Sequence, residues 1–157
     1  MRKLKNILLS LLMISVVVLS TACSSKGSNP TKTFELEKDG MKTTITYTYI
    51  ESEDKVIKQN TVVEGEYAKL KPARTKEEFQ KIVGPIAEKY QGIQGIKESI
   101  DYQDEKFVEN IEIDYENLDY EKSKTVLGNN FQDPAKVKIS MKKTEEGLTK
   151  QGYTEKK

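Results

Sequence analysis

The sequence predicts an α+β domain, an antiparallel sheet of about five strands with two to three helices packed on one face. Three observations carry that expectation. Apolar residues alternate with polar ones at period two from Phe34 to Val63 and again from Ile96 to Tyr115. Between these blocks, from Phe79 to Tyr90, the period switches to that of a helix. Within each block the strand candidates are separated by short turns rather than by a crossover helix, which favours antiparallel pairing.

The chain opens on a leader. Arg2, Lys3 and Lys5 precede an apolar run from Ile7 to Leu19 that is interrupted only by Ser10 and Ser15. That run has the length of a signal h-region and falls short of the roughly 20 residues a spanning helix needs. Ser20 and Ala22 place small residues three and one positions before Cys23. Ordinary signal peptidase accepts that pattern, and so does the bacterial lipobox, in which the cysteine thiol is lipidated and becomes the new N-terminus. Cys23 favours the lipobox, because it is the only cysteine in 157 residues and stands at the required position. Ser20 departs from the usual leucine, and Leu19 lies one position further out. The expectation is cleavage between Ala22 and Cys23, lipidation of Cys23, and attachment to the extracytoplasmic face of a cell membrane. Two or more acyl chains, palmitate among them, give stable anchoring where one is marginal.

Three domains follow: a lipoprotein signal peptide over 1–22, the lipidated cysteine with a flexible tether over 23–32, and one α+β domain over 33–157. Losing the leader removes three of the 26 basic residues and none of the 25 acidic ones, which leaves a net charge of −2. That balance gives no reason to expect nucleic acid as a partner. No cysteine remains for an internal disulfide, so an apolar core must supply stability. The tether, SSKGSNPTK, is too polar to bury surface; as a coil it spans about 16 Å.

Phe34 and Leu36 alternate with polar neighbours before the Asp39-Gly40 turn signal. In Lys42 to Ile50, Ile45, Tyr47 and Tyr49 point one way and Thr44, Thr46 and Thr48 the other, as in a sheet with one wet face. Glu51 to Asp54 is the next turn. Lys55 to Glu64 is a third strand, with Val56 and Val62 on one parity and Ile57 and Val63 on the other. Pro72 breaks the chain, and Thr75 to Glu78 is a capping box. Phe79, Ile82, Val83, Ile86, Ala87 and Tyr90 make one helical stripe. Pro85 within it should kink or divide the helix, and Gly92 and Gly95 mark its end. Ile96 to Tyr102 and Lys106 to Tyr115 are strands, joined by a turn at Asp104-Glu105. Asp119 caps a short helix through Leu127 ended by Gly128, and a loop around Phe131 runs from Asn129 to Pro134. Ser140 caps a last helix through Gln151, with Met141, Leu148 and Thr144 toward the sheet and a charged tail beyond Tyr153.

Four blocks then carry a family resemblance: the lipobox, TFELEKDGMKTTITYTY, TKEEFQKIVGPIAEKYQGIQGIKESIDY and ISMKKTEEGLTKQGY. Together they resemble the YehR-like bacterial lipoproteins, a family of unassigned function, over essentially the whole mature chain. The resemblance implies a small single-domain α+β protein of the cell envelope. It brings no catalytic residues, cofactor or metal ligands to carry over.

The residues themselves narrow the chemistry. Histidine is absent and the sole cysteine is assigned to lipid. Ser-His and Cys-His nucleophiles and zinc sites of the usual Cys/His type are therefore excluded. Carboxylate acid–base work would have to draw on Glu109, Glu112 and Asp114, of which Glu112 and Asp114 read as outer-face solvating groups. Glu109 is odd, since its parity sets it with Phe107 and Ile111; a sheet edge, a lysine partner or a buried acid are the alternatives. Asp101, Asp104 and Glu105, and Asp114, Glu116, Asp119 and Glu121, are acidic clusters without the EF-hand order. Tyr67, Tyr102 and Tyr120 could line a groove, although most tyrosines sit on core parity. The leading expectation is a non-catalytic lipoprotein holding a small ligand or an envelope protein on the exposed sheet face or in a sheet–helix groove. A structural or assembly accessory, and a carboxylate-based hydrolase, are the alternatives.

Overall fold

The computed structural model describes residues 29–128 and 131–157. The leader, Cys23 and most of the tether lie outside these residues. Six strands form one wholly antiparallel sheet: β1 (Thr31–Lys38), β2 (Met41–Ile50), β3 (Lys55–Glu66), β4 (Ile96–Tyr102), β5 (Lys106–Asp114) and β6 (Thr154–Lys156), in the spatial order β4-β5-β3-β2-β1-β6. Among the described residues three α-helices accompany it, α1 (Lys76–Ala87), α2 (Tyr120–Leu127) and α3 (Met141–Lys150). The α+β class is as the sequence predicts, with six strands where about five were expected.

The extra strand comes from the tail. Thr154, Glu155 and Lys156 pair with Glu35, Phe34 and Thr33 and close the free edge of β1. At the other end β1 begins at Thr31, two residues inside the stretch assigned to the tether, and the Pro30 carbonyl accepts a bond from the Tyr49 amide at 3.1 Å.

Alternation decides the faces. Phe34, Ile45, Tyr47, Val63, Phe107, Ile111 and Ile113 turn inward and are buried. Thr33, Thr44, Thr46, Asn60, Asn110 and Glu112 occupy the opposite parity, and the register aligns them across the sheet. A bulge interrupts this where Thr48 faces Lys58 but Tyr49 faces Val56. Ile57 is the inserted residue, which is why Val56 and Ile57, on opposite parities in the sequence, are both buried.

All three helices cover the inner face. Met141 and Leu148 of α3 pack on Phe34, Ile45 and Tyr47; Phe79 and Val83 of α1 pack on Met41, Val63 and Phe107; Leu127 of α2 packs with Ile111 and Ile113. Each helix starts on its expected cap. Thr75 Oγ1 accepts from the Glu78 amide while the Glu78 carboxylate accepts from the Thr75 amide, and Asp119 and Ser140 cap α2 and α3. Pro85 does not end α1. The α-helix runs on to Ala87 and tightens into a 3-10 turn over Glu88–Tyr90, which seats Tyr90 in the core.

Candidate functional site

The carboxylates singled out on β5 do not converge. Glu112 and Asp114 lie on the outer face, where Lys97 and Lys58 pair with them at 2.5 and 3.5 Å. Glu109 points the other way and is 4% exposed. Burial first, and the charge of Glu98 second, push its carboxyl up to about 8, so it is held neutral at pH 7. Of the three alternatives left by the sequence, Glu109 is the buried acid.

Its neighbour Glu98 was not singled out by sequence. On β4, Ile96, Glu98, Ile100 and Tyr102 form one period-two stripe, and the register sets Glu98 and Tyr102 diagonally on either side of Glu109. Burial raises the Glu98 carboxyl, against a bond donated by Gln91 at 2.8 Å. That parity was the available signal.

The acidic clusters are also dispersed. Asp101 accepts from Gln103 at 2.6 Å and Asp104 pairs with Lys76 at 3.1 Å. Asp114 accepts from the Glu116 amide, Asp119 caps α2, and Glu121 pairs with Lys124 at 2.7 Å. Among the described residues no three acidic side chains gather as metal ligands would. The three tyrosines likewise serve packing. Tyr67 lies against Phe79 and Phe107 with centroids 5.6 and 6.0 Å apart, Tyr102 meets Phe79 edge-on, and Tyr120 donates to the Phe131 carbonyl.

The outer sheet face is polar and self-compensated. Thr33 and Thr46 hydroxyls meet at 2.5 Å, and Glu35 accepts from Lys42 and Lys156 at 3.3 and 3.1 Å. Among the described residues the one large apolar side chain that is well exposed is Val137, in the 131–140 loop. A concave surface occurs elsewhere, at the end of the sheet where β1 turns into β2. There the hairpin tip, the end of β3 and residues 67–71 enclose a cleft of about 520 Å³, lined by Lys38, Asp39, Lys42, Glu66, Lys71 and Lys106 among others. Asp39 and Gly40 take positive φ of 54° and 83°, as a tight hairpin requires, and the Lys71 amide bonds the Asp39 carbonyl at 3.0 Å. These residues are far apart in sequence, and no motif joins them.

Against known proteins, residues 30–154 match the family described as "Protein of unknown function (DUF1307)". The chain belongs to this family. Its relatives include an uncharacterised lipoprotein of Listeria innocua, 36% identical over 99% of this chain and 98% of that one. Another is the uncharacterised lipoprotein YehR of Escherichia coli, 34% identical over 96% of each chain. The NMR structure of E. coli YehR aligns with a TM-score of 0.65 at 32% identity, over 82% of this chain and 91% of that one. A Streptococcus pneumoniae protein solved by NMR, at 19% identity and a TM-score of 0.57, shares the fold. The resemblance read from the four sequence blocks is therefore a true membership of the YehR group. Among the described residues of this DUF1307 member, no helix is long and apolar enough to cross a membrane.

Proposed function

We propose that this DUF1307 member is a lipoprotein anchored through lipid on Cys23 at the extracytoplasmic membrane face, and that its domain is a non-catalytic module that binds a ligand or an envelope protein. The observation that carries the reading is the polarity of the sheet. The tether enters at Thr31, while the cleft opens around Lys38 to Lys42, at the far end of an eight-residue strand. At about 3.3 Å per residue the two ends are roughly 25 Å apart. With seven residues, 24–30, between Cys23 and β1, the cleft lies at the end of the strand opposite the attachment point. Lipoprotein relatives of nearly full-length similarity support the anchor. The polar, ion-paired outer face offers little to a partner, so the cleft takes the role first given to the sheet face.

Two measurements test this. Cys23→Ala should move the protein wholly from the membrane to the soluble or secreted fraction, and mass spectrometry of the wild-type N-terminus should find acylated Cys23. An unmodified Cys23 ends the anchor reading. For the cleft, lysine-reactive crosslinking in intact cells should yield adducts that the pair Lys71→Glu and Lys106→Glu abolishes and that Lys97→Glu, on the outer face, leaves intact. The reverse pattern removes the cleft from consideration.

A further inference from the structure

Among the described residues Glu109 is the one buried side chain of the Asp, Glu, Lys and Arg types. Among the described residues nothing basic faces it. Its own strand offers Phe107 and Ile111; directly across lie Val63 on β3 and Ile100 on β4. The titratable groups turned toward it are Glu98 and Tyr102 from β4 and Tyr90 from the 3-10 turn, whose phenols both feel the Glu109 charge. Helix α1 contributes only apolar cover, Phe79 and Val83 being its buried residues.

Polar atoms in this layer are orphaned. Tyr90 OH, Glu98 Oε1 and Thr61 Oγ1 are buried with no hydrogen-bond partner. Native interiors rarely leave such groups unsatisfied, and a cluster of them marks stored strain or a place water enters when the cover lifts. The cover here is Pro85–Gln91. Its closed position is held by Tyr90, 1% exposed, and by Gln91 Nε2, which donates to Glu98 Oε2 and reaches the Glu98 carbonyl at 3.3 Å.

A glycine stands at each end of the cover. Gly84 has no atom within 4 Å of where a Cβ would stand and precedes the proline that interrupts the helical ladder. Gly92, at φ +74°, is equally uncrowded. Beyond it Gly95 is fixed, since a Cβ there would come within 2.7 Å of the Leu118 backbone. Two free glycines thus bracket a segment whose inner side rests on two carboxyls and an unpartnered phenol.

We propose that Pro85–Gln91 is a proton-gated flap over Glu109 and Glu98, closed when Glu109 is protonated and lifted when it ionises. Ionisation would set two carboxylates diagonally beside one another with no cation between them. Opening relieves this by admitting water to both and to Tyr90. The direction follows from linkage. Glu109 ionises near 8 when covered and near the ordinary glutamate value when open to water, so opening releases a proton. The closed state is fully favoured at acid pH. It weakens by up to about tenfold per pH unit through neutrality and levels off above about pH 8.

Limited trypsin digestion of the full lipidated chain in detergent tests the flap. Cleavage after Lys89 reports opening, cleavage after Lys58 on β3 reports unfolding of the sheet, and Glu109→Gln serves as the closed reference at each pH, which cancels the enzyme's own pH dependence. The ratio of wild-type to Glu109→Gln cleavage after Lys89 should climb several-fold or more per unit between pH 6 and 8 and then flatten, with Lys58 cleavage unchanged. Glu98→Gln should show a smaller rise that flattens at lower pH, because the charge that holds the Glu109 proton is gone. A flat ratio at Lys89, or a parallel rise at Lys58, overturns the proposal. Should Glu109→Gln not fold, the comparison of wild type with Glu98→Gln decides it alone.

Discussion

Phe79→Ala should remove about 3–5 kcal/mol of stability and lower the melting temperature by roughly 10–20 °C. Phe79 is fully buried. Its ring stacks on Phe107 of β5 with centroids 4.1 Å apart and also meets Tyr67 and Tyr102. Truncation leaves a cavity walled on three sides by aromatic rings, Phe107 and Tyr102 on strands and Tyr67 on the 3-10 turn after β3, so the site collapses poorly to fill it. The consequence reaches the rest of α1, because Phe79 and Val83 are the residues that bury its apolar stripe. A typical domain is stable by only 5–15 kcal/mol, so thermal melts at neutral pH should show a marginal protein. Phe79→Leu, which keeps most of the volume, should recover the larger part. A loss below about 1 kcal/mol for Phe79→Ala would mean that the aromatic stack does not hold α1 to the sheet.

Much of this core could be read from the sequence because each element buries one side. The stripe Phe79, Val83 and Tyr90 and the alternation through Ile45 and Tyr47 each fit one period. Capping was legible for the same local reason, since Thr75, Asp119 and Ser140 each act within three residues of themselves. What escaped was non-local. The β6 residues Thr154–Lys156 are all exposed and carry no apolar pattern; they become a strand because β1 has a free edge beside them. The bulge at Tyr49 and Val56 depends on two strands at once.

For the candidate site the divide is similar. The parity of Glu109 pointed to burial, but its pairing with Glu98 required the β4–β5 register. The cleft draws on the β1–β2 tip, the end of β3 and residues 67–71, which only the folded chain brings together. Cys23 is the opposite case: a purely local signal that the described residues leave to chemistry to test.

Gly40→Ala should be the second severe substitution, and Gly92→Ala shows why. Both glycines have positive φ, 83° and 74°. An L-residue in that region costs about 1 kcal/mol relative to glycine. At Gly92 nothing lies within 4 Å of the new Cβ, so that backbone cost is the whole expected effect. At Gly40 the Cβ would stand 2.0 Å from the Lys69 carbonyl oxygen and 2.8 Å from the Leu70 amide. These are backbone atoms, and no rotamer change clears them. The hairpin tip would have to part from residues 67–71, breaking the bond between the Lys71 amide and the Asp39 carbonyl and loosening Met41 and Leu70 in the core behind it. The expected loss is on the order of 3 kcal/mol or more, against about 1 for Gly92→Ala, in paired denaturant titrations. The same displacement opens the cleft along its hairpin wall. Gly40→Ala should therefore also lose the crosslinked adducts that depend on Lys71 and Lys106, at temperatures where it is still folded, while Gly92→Ala retains them. Equal losses of stability at the two glycines would show that the tip does not press on residues 67–71, and the cleft would have no fixed wall there.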